Sequence, residues 1–159
     1  MQLIIRAPVV EELPALSELC MRSKAVWGYD AAFMAACKAE LTFDPGDLAS
    51  SRIAVAECAG TMVGVAQVKL IGQEADLTKL FVEPAVLRGG IGKALFGWAS
   101  DAARDMGATR LVIEADPDAA PFYRRLGARD AGLAPSGSIS GRTLPKLVLD
   151  FQGEGAARC

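Results

Sequence analysis

Around Gly89, Gly90 and Gly92 the spacing of apolar residues changes period, and this joint constrains the chain most. Upstream, RIAVAECA (52–59), MVGVAQVKLI (62–71) and EADLTKLFVE (74–83) read as strands joined by turns at Gly60 and Gly72-Gln73, an antiparallel meander. Downstream, Ile91, Leu95, Trp98, Ala99, Ala102, Ala103 and Met106 recur on one face of a helix that stops near Gly107. The joint itself, FVEPAVLRGGIGKALF (81–96), carries Arg88 and Lys93 beside its glycines. Glycine permits positive φ and close backbone approach, and a helix N-terminus presents unpaired N–H groups, so such a joint is either a plain turn or a cradle for phosphate.

The remaining elements follow from local signals. LIIRA (3–7) reads as a short strand; Pro8 suits a first helical turn, with Val9, Leu13, Leu16 and Cys20 at helical spacing. Asp30 is placed to cap a helix over 31–41 that puts Phe33, Ala36 and Cys37 on one face. TFDPGDLASS is turn-rich. After the long helix come the strand RLVIEA, a short helix through PFYRRLG, a Gly/Ser/Pro-rich loop and a closing strand, LPKLVLDF. The order β, α, α, three strands, α, β, α and closing strands predicts a mixed α/β domain over residues 1–150, with 151–159 as a flexible tail. It is not the regular alternation of a doubly wound nucleotide fold.

The 159 residues suffice for one domain with a core. No apolar run reaches the ~18 residues of a membrane span, and the N-terminus lacks the pattern of a secretory signal. A net charge of −2 argues against a nucleic-acid partner. Cys20, Cys37, Cys58 and Cys159 form no C-x-x-C pair, which fits reduced thiols in the cytoplasm and no metal. The chain has no histidine. Ser-His and Cys-His nucleophile systems are therefore excluded, and acid–base chemistry falls to carboxylates, Tyr, Cys or Lys.

Two phosphate motifs fail on the letters. A P-loop needs Gly where Leu87 stands, and Ser or Thr where Ala94 follows Lys93. A dinucleotide fingerprint needs a third Gly where Leu95 stands. LRGGIG (87–92), after Val82-Glu83-Pro84, instead resembles the [QR]-x-x-G-x-[GA] signature of the GNAT superfamily of acyl-CoA-dependent N-acetyltransferases. A second GNAT segment, Asn-x-x-x-x-Phe-Tyr-x-x-x-Gly, is resembled from Asp118, one residue nearer the Phe-Tyr pair than its Asn, through Phe122, Tyr123 and Gly127. Leu87 departs from the usual Gln or Arg, and Asp118 from Asn; an aspartate still accepts a hydrogen bond but cannot donate one.

The resemblance implies a mostly antiparallel sheet of six or seven strands flanked by about four helices, with acetyl-CoA as cosubstrate. It implies that the amides of Arg88, Gly89, Gly90, Ile91, Gly92 and Lys93 hold the pyrophosphate. Phe81 and Val82 would line the pantetheine where their strand splays from RLVIEA, and Asp118 and Phe122 would complete the cofactor site. Arg124, Arg125 or Arg88 would reach the 3′-phosphate. Tyr123 would protonate the departing thiolate. Asp76 is the first choice as base, with Glu74 and Glu83 as alternatives. Trp27 and Tyr29 fall where the family builds its acceptor pocket, and Arg142 could pair with a substrate carboxylate. The activity implied is acetylation of a small amine or amino-acid-like acceptor by direct attack, with a homodimer allowed. The alternatives are a peptide or protein acceptor, or an acyl-CoA-binding module without catalysis.

Overall fold

A computed structural model describes residues 2–86 and 89–151. Seven strands form one sheet: β1 (Leu3–Arg6), β2 (Arg52–Cys58), β3 (Thr61–Ile71), β4 (Glu74–Val82), β5 (Arg110–Glu114), β6 (Arg129–Pro135) and β7 (Thr143–Asp150). They lie in the order β1-β2-β3-β4-β5-β7-β6, and every neighbouring pair is antiparallel except β4 with β5. The helices are α1 (Leu13–Ala25), α2 (Ala31–Leu41), α3 (Asp47–Ser50), α4 (Ile91–Asp105) and α5 (Ala120–Arg125).

The alternation of side chains along the strands sorts two apolar layers onto the two faces of the sheet. Ile53, Val55 and Val65 pack with Leu13, Leu16, Leu19 and Cys20 of α1 and Cys37 and Leu41 of α2. On the other face, Ala54, Ala56 and Ala66 lie under Ile91 and Leu95 of α4. That column is kept small. A side chain at Gly64 would put its first carbon 2.8 Å from Leu95 Cδ1 and 3.2 Å from the Phe81 carbonyl oxygen. Glycine and alanine there let α4 approach the sheet closely, which fixes where its N-terminus lies.

Several expectations need correction. The first α-helix begins at Leu13 with Pro14 in its first turn, not at Pro8; residues 10–12 form a 3-10 turn and Val9 is exposed. The Asp30 carboxylate does accept from the Phe33 amide, at 2.8 Å, but Ala36 faces solvent rather than the core. TFDPGDLASS contains the single helical turn α3. β6 has no clear sequence signal: Gly132 takes φ +103, the pairing with β7 is irregular between Asp130 and Leu133, and Pro135 is tolerated because the strand is an edge. Phe151, where the expected closing strand and tail meet, is buried, and its amide donates to the Thr109 carbonyl; residues 152–159 lie outside the described ones. Among the described residues no helix is long and apolar enough to cross a membrane.

Candidate active site

The parallel pair β4–β5 is short. Glu74, Ala75 and Asp76 pair with Arg110, Leu111 and Val112, and the contact ends there. Beyond it β4 stays with β3 as far as Val82, and β5 stays with β7 through Ile113 and Glu114, so a V opens between residues 77–82 and 113–114. Thr78 is an extra residue in β4: Leu77 faces Val68 and Lys79 faces Gln67. Such a bulge bends its strand and increases its twist. The Glu83 amide donates to the Val63 carbonyl at 2.8 Å. Main-chain direction alternates along a strand, so Phe81 is also turned to β3, while Leu80 and Val82 point their N–H and C=O groups into the V. Phe81 therefore contributes its side chain, packed toward α1 and α2, and not an edge amide. Leu80, missed on the sequence, takes that place.

The wide end of the V meets the N-terminus of α4. Gly90 caps this helix at φ +74, a conformation that favours glycine, and its carbonyl accepts from Ala94. No described residue accepts from the amides of Gly90, Ile91, Gly92 or Lys93. These four donors and the helix dipole favour an anion. The Gly89 amide is used within the turn, donating to the Val86 carbonyl at 3.3 Å, so among the described residues the free run begins at Gly90 and not at Gly89. Ile91 is buried and offers only its backbone; Lys93 is exposed. Gly92 has a packing role too, since a side chain there would come 3.2 Å from Phe122 Cζ. Phe122 thus packs against the first turn of α4. Arg88 lies outside the described residues.

Tyr123, beside it on α5, has a buried ring set edge-on to Phe122 at 5.0 Å and tilted against Phe96. Its hydroxyl has no hydrogen-bond partner among the described residues, yet no buried side-chain polar atom there lacks one. The hydroxyl therefore opens onto accessible space. Burial pushes the phenol well above its ordinary pKa, which keeps it protonated. Asp118 is exposed and its amide donates to Asp116 Oδ1 at 3.2 Å, forming the turn into α5. Asp76 sits at the last paired position of the V's closed end. Burial, then the neighbouring Glu74 carboxylate, raises its pKa.

On the face opposite α4, side chains from three distant segments converge. The Tyr29 hydroxyl donates to Asp116 Oδ2 at 2.5 Å and accepts from Arg142 Nη2 at 2.8 Å. Burial, then the bond to Asp116, pushes the Tyr29 phenol up to about 12. Tyr29 stacks on Phe33 with centroids 3.9 Å apart, and Lys24 and Arg142 both lie over these rings. Tyr29 and Arg142 are brought together. Trp27 is not: it is 45% exposed and takes no part in the cluster. Asp116, Lys24 and Phe33 were missed because nothing local marks them; only the Asp-Pro following a strand hints at Asp116.

A second missed residue is Lys79, buried on the same face. Its ammonium donates to Gln67 Oε1 at 3.0 Å and lies 4.7 Å from the centre of the Phe43 ring, and Gln67 Nε2 donates in turn to Ser51. Burial lowers its pKa. A lysine within an apolar strand was the available signal.

Residues 49–127 match the family model of an acetyltransferase (GNAT) domain, a span that holds β2 to α5, the V and both motifs. The chain belongs to the GNAT family. GNAT acetyltransferases use acetyl-CoA as their cosubstrate, and the free amides and open strand edge fit that elongated, phosphate-bearing donor. Among solved structures, the PaiA N-acetyltransferase of Thermoplasma acidophilum in complex with coenzyme A superposes with a TM-score of 0.76 at 18% identity, covering 95% of this chain and all (100%) of that one. The ribosomal-protein-S18-alanine N-acetyltransferase of Escherichia coli gives 0.70 at 20% identity, covering 94% of each chain. A nourseothricin acetyltransferase gives 0.70 at 23% identity, covering 94% of this chain and 99% of that one. At such identities the likeness is one of fold. No curated protein matches the chain. Among the described residues no group of His, Cys, Asp and Glu could hold a metal ion.

Proposed function

We propose that this GNAT protein transfers the acetyl group of acetyl-CoA to a primary amine of a small, amino-acid-like acceptor, by direct attack within the V. The observation that carries the reading is the alignment of one open strand edge, at Leu80 and Val82, with four amides at the α4 N-terminus that have no acceptor among the described residues. The amides of Gly90 to Lys93 hold the pyrophosphate. The edge of β4 pairs with the pantetheine amides, and an N–H on that edge polarises the thioester carbonyl. Phe122 lines the cofactor, with Asp118 beside it.

The acceptor enters from the α1–α2 face, past Tyr29 and Arg142, with Trp27 at the rim. Its amine must be neutral to attack. Asp76, at the closed end of the V, takes the amine proton directly or through water; its raised pKa makes it a better base than an ordinary aspartate. As the C–N bond forms and the C–S bond breaks, the Tyr123 hydroxyl gives its proton to the departing thiolate, whose basicity the same buried surroundings raise. The carboxylate then returns its proton to solvent and the phenol is reprotonated, so the enzyme ends unchanged. The thiols Cys20, Cys37 and Cys58, free of disulfides, go with a cytoplasmic setting.

The test is thiol release from acetyl-CoA across a panel of amines, amino acids and peptide N-termini. Tyr123→Phe should lower kcat by about 10²–10⁴-fold, the span of general acid–base help, and leave CoA affinity nearly unchanged. CoA binding without turnover of any acceptor would replace the enzyme with a binding module.

A further inference from the structure

The cluster on the acceptor side holds more positive charge than its own carboxylate balances. Lys24, Arg142 and Asp116 keep only 15%, 20% and 11% of their side-chain surface exposed, two cations to one anion. Asp116 is fully engaged: Oδ1 accepts from the Asp118 amide, and Oδ2 accepts from Tyr29 and faces both cations. The cations are not. Lys24 Nζ stands 3.6 Å from Asp116 Oδ2, beyond good hydrogen-bond length, and Arg142 makes one side-chain hydrogen bond among the described residues, through Nη2 to Tyr29. Two charged donors are thus held side by side with most of their N–H groups unused by the described residues and open to a ligand.

We propose that the acceptor carries a carboxylate beside its amine, and that Lys24 and Arg142 seat this carboxylate against the stacked rings of Tyr29 and Phe33. The inference rests on the acetyl-transfer reading for its donor and deepens it for the acceptor. The guanidinium keeps Nε and Nη1 N–H groups, each able to donate to a carboxylate oxygen, and the lysine adds a point charge from the α1 side. Asp116 does not bind the acceptor. It fixes Tyr29, and through Tyr29 the guanidinium, in place before the acceptor arrives. The location fits: the cluster joins the end of α1, the start of α2, the turn after β5 and the loop before β7, at the wide end of the V and across the sheet from α4. An amine carried on the same small molecule would then extend into the V.

The experiment compares amino acids with their own carboxamides, which keep the amine and side chain and remove only the charge. With acetyl-CoA saturating, thiol release should favour the acids by about ten- to a hundredfold in kcat/KM, the range of a hydrogen-bonded charge pair. Arg142→Gln and Lys24→Gln should each shrink that preference severalfold by raising KM more than they lower kcat, and Arg142→Lys should restore part of it. Carboxamides used as well as acids, or an acid preference that survives both glutamine variants, would overturn the proposal while leaving acetyl transfer intact. If CoA binds but no amine is acetylated, the transferase reading falls and binding decides the seat: amino acids must still raise the melting temperature of the CoA-loaded wild type and not of Arg142→Gln. Absence of that rise would overturn the seat as well.

Discussion

The donor end of the V, at the start of α4, offers main-chain amides from one short stretch, Gly90 to Lys93, whereas the acceptor end offers side chains from Lys24, Tyr29, Phe33, Asp116 and Arg142. The first is fixed once β4, a glycine at positive φ and the helix start are in place. Its side chains need not touch the anion, provided position 90 reaches its left-handed φ, Ile91 keeps its place in the core and position 92 stays small beside Phe122. The second exists only when four segments are folded together, and each partner is specific. A cofactor common to a family can be held by backbone; an acceptor particular to one protein needs side chains. The two ends should therefore fail differently under mutation.

The largest effect is expected at the donor end. Gly90→Glu places a carboxylate where an anion must bind and a side chain at φ +74, so CoA binding should disappear by calorimetry. A first side-chain carbon at this position meets nothing within 4 Å, so the fold should persist; a folded variant with normal CoA affinity would break the comparison on that side. Asp76 stands apart from both, at the closed end of the V. Asp76→Asn should lower kcat by about 10²–10⁴-fold. In the wild type the charged carboxylate is the active form, and its pKa is raised, so activity should fall with decreasing pH at values above the ordinary 3.8 of an aspartate. The acid limb should vanish in the variant; its survival would move the base elsewhere.

The smallest effect is expected at the acceptor end. Tyr29→Phe removes the bridge between Asp116 and Arg142 but keeps the stack on Phe33. Acceptor KM should rise by about tenfold, equivalent to about 1.4 kcal/mol, with CoA affinity unchanged. A fall in both affinities would mean that the two ends are not separate.

The same contrast explains what could be read in advance. The strands from Arg52 to Val82 and the helix from Ile91 carry strong periods, and the joint between them is a contiguous motif, so the meander, the long helix and the cradle were legible. β6 was not, because Gly132 and Pro135 interrupt its alternation and an exposed edge imposes little pattern. The start of α1 was misplaced because Pro8 and Pro14 both suit a first turn, and only packing chooses between them. At the site, Phe81 and Val82 were named together although adjacent residues on a strand must point their main chains in opposite directions. The family resemblance points to Tyr29, and an arginine in the loop before the last strand to Arg142. Their link through Asp116, and the exclusion of Trp27, depend on tertiary placement that local letters do not carry.

The account's central claim is that one ligand spans the α4 amides and the open edge of β4. Titration of the ¹⁵N-labelled protein with CoA, followed by amide chemical shifts, tests it directly. The predicted result is that the amides of Gly90, Ile91, Gly92 and Lys93 move together with those of Leu80 and Val82, at one common affinity, while Phe81, bonded to β3, moves much less. Saturable CoA binding that shifts neither group, or shifts the α4 amides while leaving Leu80 and Val82 still, would contradict it.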